Sequence, residues 1–384
     1  MHVEEVHFNH DTNSATSDAL SIRKTASGDP IQAPEWKRGL TAQPAAYAAA
    51  ALGANVTIKA RFSGGPANEA REIRAVDAWA PTTKPSSFLG RVVDLIARVP
   101  RSLAGNALGE TDEQLAAFDG AGDSGLITFT LANHQLKTSG VGIRTTDWKW
   151  QVRENGSWQD FDTTQHKVYL IVDMPNGPWD QNPEGNNTQL PWTDALDKAC
   201  LWAMGAKTQD EAAERVTIAV NTQPNQSYTG STIFAIDTTY LLSWYLNELD
   251  GGKTFQINCT DCADAVTTFS NLLGCDLFEG IFYNIKTRKF LTLGGNPAVE
   301  ADWQATGWRY HEICWLHQMG QNELIYDACV QVDMDDNYDD LVHVAKHPVK
   351  MRFGMKDHSD YRYRLVKGDV GATVGKDPIR RSVA

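Results

Sequence analysis

Residues 258–274, NCTDCADAVTTFSNLLG, read as a small polar turn that opens into an apolar stretch of helical character ending at Gly274. Cys259 therefore stands at the start of a helix. Free backbone N–H groups at that end carry partial positive charge, which favours thiolate over thiol and is expected to lower the Cys259 pKa. The thiolate is the nucleophile, so Cys259 is the candidate for covalent chemistry, with Cys262 as the alternative thiol.

Such a nucleophile needs a base. Residues 308–333, WRYHEICWLHQMGQNELIYDACVQVD, hold two runs with period-two alternation on either side of a polar stretch containing Gly320, the pattern of half-buried strands. An antiparallel hairpin with its turn near Met319 sets His311 directly opposite Asp327. A carboxylate across from an imidazole can hold its tautomer and stabilise the imidazolium, the third member's task in Cys-His-Asp chemistry.

Over roughly residues 230 to 335 the chain resembles the transglutaminase-like superfamily, a branch of the papain-like cysteine enzymes. In that family the nucleophile stands in C-x-D-x-A ahead of an apolar helix and a glycine, and Cys259, Asp261, Ala263 and Gly274 fall at matching offsets. The family's histidine begins a strand with apolar or aromatic residues after it, as Ile313 and Trp315 follow His311, and its aspartate ends a short apolar run, as Asp327 ends LIYD. The order Cys, His, Asp also agrees. Two positions depart: Cys262 replaces an aromatic or aliphatic residue, and Asn258 replaces the common small residue before the nucleophile. The resemblance implies an acyl-enzyme on Cys259, resolved by water in a peptidase, amidase or deamidase, or by an amine in a transglutaminase. Hydrolysis is the expected outcome, because water is always present whereas transfer needs a site that excludes it.

The same atoms admit other readings. Cys259-x-x-Cys262 and His311-x-x-Cys314 offer a Cys3His set for zinc, but His311 and Cys314 lie three apart on a strand and so face opposite ways. The acidic run 333–340, DMDDNYDD, lacks the glycine and distal glutamate of a calcium-binding EF-hand loop and reads as a solvated loop. Cys200, Cys275, Cys314 and Cys329 read as core. Trp244 and Trp315 are candidates to line a substrate cleft, although aromatics at such spacings more often pack in a core, and Gln256 is a candidate oxyanion donor beside the Cys259 backbone N–H.

A chain of 384 residues exceeds one average domain, and its formal charge of −13 argues against a nucleic-acid partner, which needs Lys and Arg for phosphates. No apolar run long enough to span a membrane occurs, the first twenty residues lack the pattern of a secretory signal, and six cysteines form no dense disulfide framework. A cytoplasmic protein is expected, with a protein or peptide substrate and no metal or other cofactor.

Before about residue 176, stretches such as 56–62 (VTIKARF), 72–80 (EIRAVDAWA), 124–132 (SGLITFTLA), 147–153 (DWKWQVR), 157–162 (SWQDFD) and 167–175 (KVYLIVDMP) read as strands, with a type I′ hairpin turn at Asn155-Gly156. The segment 91–100, RVVDLIARVP, fits strand or helix equally. Residues 176–192 are rich in Pro, Gly and Asn, and helices follow: one capped by Thr193, one with capping-box spacing at Thr208 and Glu211, and one closing at Gly251 and Gly252. The expected organisation is multidomain α+β. An antiparallel, immunoglobulin-like β-sandwich covers 1–176, a linker 177–192, a papain-like α+β catalytic domain 193–345 and a C-terminal extension 346–384. The sandwich is expected to be an accessory module that binds substrate or a protein partner. Two further readings stand beside the enzyme: a non-catalytic binding protein on the same fold, and an effector that modifies a target protein in another cell.

Overall fold

Side chains along Thr57–Ser63 and Gly142–Glu154 alternate between buried and more exposed positions, as β-branched and aromatic residues on a half-buried pleat do. The computed structural model describes residues 1–11, 15–78, 107–185, 187–337, 340–368 and 378–384, and its chain divides into two compact units, 1–24 with 29–174 and 25–28 with 175–384. The segment 91–100 and the end of the expected strand 72–80 lie outside the described residues.

The first unit contains β1 (His2–His7), β2 (Trp36–Lys37), β3 (Ala45–Ala48), β4 (Thr57–Ser63), β5 (Ala70–Asp77), β6 (Glu110–Thr111), β7 (Gln114–Ala117), β8 (Leu126–Ala132), β9 (Gly142–Glu154) and β10 (Ser157–Ile171). They form two five-stranded sheets, ordered β2-β1-β4-β8-β6 and β3-β10-β9-β5-β7. Val6, Ile58, Phe62 and Phe129 of the first sheet share one buried core with Tyr47, Ile73, Trp148, Trp150 and Leu170 of the second, which makes the unit a β-sandwich. It differs from the expected antiparallel form, because β3 runs parallel to β10. That strand order does not by itself establish an immunoglobulin-like topology. Asn155 and Gly156 take φ of 49° and 80° at the β9–β10 turn, as a two-residue hairpin requires. The stretches 157–162 and 167–175 are not two strands. The first and most of the second lie on one strand, β10, bent by a bulge between Asp160 and Asp162.

The second unit carries helices α1 (Thr193–Trp202), α2 (Gln209–Asn221), α3 (Leu242–Gly251), α4 (Cys259–Leu272) and the short α5 (Tyr361–Leu365). Its strands are β11 (Gln226–Tyr228), β12 (Ala235–Ile236), β13 (Thr239–Tyr240), β14 (Phe255–Ile257), β15 (Leu277–Lys286), β16 (Phe290–Thr292), β17 (Gly307–Leu316), β18 (Leu324–Tyr326), β19 (Val330–Asp333), β20 (Ala345–Lys346), β21 (Val349–Arg352) and β22 (Ser382–Val383). The main sheet, β15-β17-β18-β21, lies against α4, and α1 and α2 pack on that helix too. All fourteen residues of α4 are buried. Among its polar side chains, Asn271 donates to the carbonyls of Gly177 and Leu277 and accepts the Leu277 N–H.

Thr193 is the first residue of α1 rather than its cap. Trp192 takes the extended cap position, its ring buried edge-on against Trp179 at 5.4 Å. Trp179 also donates its indole N–H to the Thr268 carbonyl, so the Pro- and Gly-rich stretch is anchored to the second unit. Thr208 caps α2 by accepting from Glu211 N, and Gly252 ends α3 in the left-handed region at φ 64°. Residues beyond 345 belong to this unit as well: β20 pairs with β19, β21 with β18 and β22 with β13. Among the described residues no helix is long and apolar enough to cross a membrane.

Candidate functional site

The α4 N-terminus is built by a capping box. The Asn258 side chain accepts from Asp261 N at 3.1 Å, and the Asp261 carboxylate accepts from Asn258 N at 3.1 Å. Asp261 also accepts the backbone N–H groups of Ile233 and Phe234, the latter at 2.7 Å, and the Asn258 amide donates to Thr232 at 2.8 Å. Asn258 is therefore the cap that starts the helix one residue later, at Cys259.

His311 on β17 is buried, with its ring stacked on Trp308 at 4.7 Å and edge-on to Phe282 at 5.5 Å. Its Nε2 lies 2.8 Å from Asp327 Oδ2. Cys259 interacts with the His311 side chain and the Glu312 backbone, both of which act to pull its pKa down. Cys262 instead lies beside the thiol of Cys329, which acts on its pKa. Cys314 turns its sulfur to Thr267 and the Ala263 carbonyl, each at 3.2 Å, so the four residues of the zinc alternative do not converge. Among the described residues no group of three or more His, Cys, Asp or Glu side chains is arranged to hold a metal ion.

The route by which Asp327 reaches His311 differs from the expected one. Cys314 pairs with Tyr326 and Trp315 with Ile325, two residues out of the register that sets His311 opposite Asp327. The ladder stops at Tyr326, and the second run divides between β18 and β19, which belong to different sheets. Asp327 sits in the break, where Oδ1 accepts the Cys329 N–H at 2.8 Å and Oδ2 receives both His311 and the Tyr361 hydroxyl, the latter at 2.7 Å. Tyr361 belongs to α5, and nothing in its local sequence marks it for this place.

Burial reverses the expected direction of the Cys259 shift. It pushes the thiol above its ordinary value, and the His311 hydrogen bond and charge oppose this without overcoming it. Burial likewise acts to lower the His311 pKa, but the Asp327 charge and hydrogen bond, helped by Cys259, outweigh it and raise the imidazole to about 10. Cys262 is pushed up by burial to about 11. The resting site thus holds an imidazolium beside a shielded thiol, with Cys259 only 6% exposed.

Trp244 and Gln256 are brought together: both line a surface cavity of about 540 Å³ with Ile233, Phe234 and Phe255. Trp244 is 46% exposed, edge-on to Phe234 at 4.9 Å, and donates its indole N–H to Glu248. Gln256 lies on the exposed side of β14, the strand that leads into the cysteine helix. Trp315 lines no cleft. It is fully buried against Phe353 at 4.2 Å.

Comparison with known proteins adds little. No family model matches the chain, and no curated protein matches it. Among solved structures, a red sea bream transglutaminase aligns at a TM-score of 0.38 and 10% identity, over 79% of this chain and 53% of that one. The match thus spans about half the length of that transglutaminase, and a likeness of this size carries no argument.

Proposed function

We propose that the protein is a thiol enzyme acting on amide bonds, with Cys259 as nucleophile, His311 as proton carrier and Asp327 as the group that orients His311. The observation that carries this reading is the contiguous set Cys259, His311 and Asp327, with a 2.8 Å imidazole–carboxylate bond buried at the start of a helix. In this scheme the Cys259 thiol gives up its proton to solvent, and the thiolate, paired with the His311 imidazolium, attacks an amide carbonyl. The amine leaves with a proton from His311, and an acyl-enzyme remains. The Cys259 backbone N–H at the helix start is placed to donate to the developing oxyanion. Hydrolysis is the favoured resolution, because water is always present whereas transfer needs a second site that excludes it.

The test is to incubate the protein with glutamine-rich peptides and unstructured proteins, with and without a fluorescent primary amine. Peptide cleavage or ammonia release lost in Cys259→Ala supports hydrolysis, and amine incorporation lost in that variant supports transfer. Activity that persists without Cys259 would overturn the reading.

A further inference from the structure

Behind the site lies a buried ionic cluster. One nitrogen of Arg381, Nη1, donates to Asp264 Oδ1 at 2.9 Å, Glu279 Oε2 at 2.5 Å and Glu312 Oε1 at 2.9 Å. Its Nε donates to the Asp237 carbonyl at 3.2 Å. The three carboxylates are at most 1% exposed. Three acids around one cation leave negative charge in excess, which a buried site tolerates poorly. Burial pushes the carboxyl groups of Asp264 and Glu279 above their ordinary range, and Asp264 Oδ2 is buried without a hydrogen-bond partner.

The elements joined here are those that carry the catalytic set. Asp264 is on α4, which begins at Cys259, and Glu312 follows His311 on β17. Glu279 is on β15, the strand paired with β17. Glu312 adjoins His311 on the strand, and its carboxylate accepts from Arg381.

We propose that Arg381 is a positioning residue that ties the cysteine helix to the histidine strand and so sets the separation of Cys259 and His311. The proposal rests on the functional reading above for its catalytic meaning, though not for its geometry. Arg381 touches no reacting atom. It acts through Glu312 and Asp264, and it is carried by the segment that forms β22. Lysine would keep a cation in the core but not the fork that reaches the carboxylates and the Asp237 carbonyl together.

The test uses the full chain in two forms: Arg381→Lys, which keeps the buried charge, and Arg381→Met combined with Asp264→Asn and Glu279→Gln, which removes the cation together with two acids. In each form that folds by circular dichroism, two quantities are read: the pH profile of Cys259 alkylation and the His311 ring pKa from imidazole ¹⁵N shifts. Both should move by a pH unit or more, with a drop of about tenfold in alkylation at neutral pH. Wild-type values for both quantities in either folded form would overturn the proposal; should the triple variant not fold, Arg381→Lys decides. Neither readout needs a substrate, so an inactive wild type would count against the functional reading and not against the placement of Arg381.

Discussion

Asp327 accepts three donors: the His311 imidazole, the Tyr361 hydroxyl and the Cys329 backbone N–H. These bonds satisfy a buried carboxylate, and its interaction with His311 opposes the burial that would otherwise discharge the imidazole. Asp327→Asn is therefore expected to drop the His311 pKa from about 10 to below the ordinary value of about 6.5, and to slow the reaction of Cys259 by about 100-fold or more. Ring NMR and the rate of acylation check both. Tyr361→Phe removes one donor from a buried charge and should cost about 1–3 kcal/mol in urea unfolding, with a smaller loss of rate than Asp327→Asn. An unchanged unfolding midpoint would show that the hydroxyl does not hold the carboxylate.

At the scale of elements, the start of α4 is the feature the sequence announces best, because its cap, its acidic third residue and its closing glycine are all local signals. Asn258→Ala should cost about 1 kcal/mol. Asp261→Ala should cost more, since it also strips the Ile233 and Phe234 N–H groups of their acceptor, and a thermal melt of the two variants gives the order. The strand pair was legible as strands but not in its register. Alternation fixes which residues share a face, while the interruption at Asp327 depends on contacts with Tyr361 and the Cys329 N–H, which no periodicity reports. The reading of Cys259 as an acidified thiol failed for a related reason. A helix N-terminus is visible in sequence, but the burial of the thiol that stands there is not.

At the scale of the whole molecule, the strand-rich first half and the helix-led second half show in the sequence pattern alone. What pattern reading missed is long-range. Tyr361 and Arg381 come from the end of the second unit, thirty-four and sixty-nine residues from their partners Asp327 and Glu312, in segments without recognisable periodicity. The same core predicts a pH response. The folded pKa of His311, about 10, lies above the unfolded value of about 6.5, so its stabilising protonation is complete below pH 6.5 and lost as pH rises toward 10. Between pH 7 and 8.5 the His311 proton alone should lower unfolding free energy by up to about 1.4 kcal/mol per pH unit, on top of any contribution from the raised Glu279. In His311→Gln/Asp327→Asn this slope should flatten; an equal slope in both proteins would mean that His311 is not held charged.

The most direct measurement is covalent trapping. Wild type, Cys259→Ala, Cys262→Ala and His311→Ala are treated with p-nitrophenyl acetate, and the acetylated peptide is located by mass spectrometry. One acetyl group on Cys259, retained in Cys262→Ala and formed about 100-fold more slowly in His311→Ala, is the predicted result. Acetylation of another cysteine, or of Cys259 at an unchanged rate without His311, would contradict it.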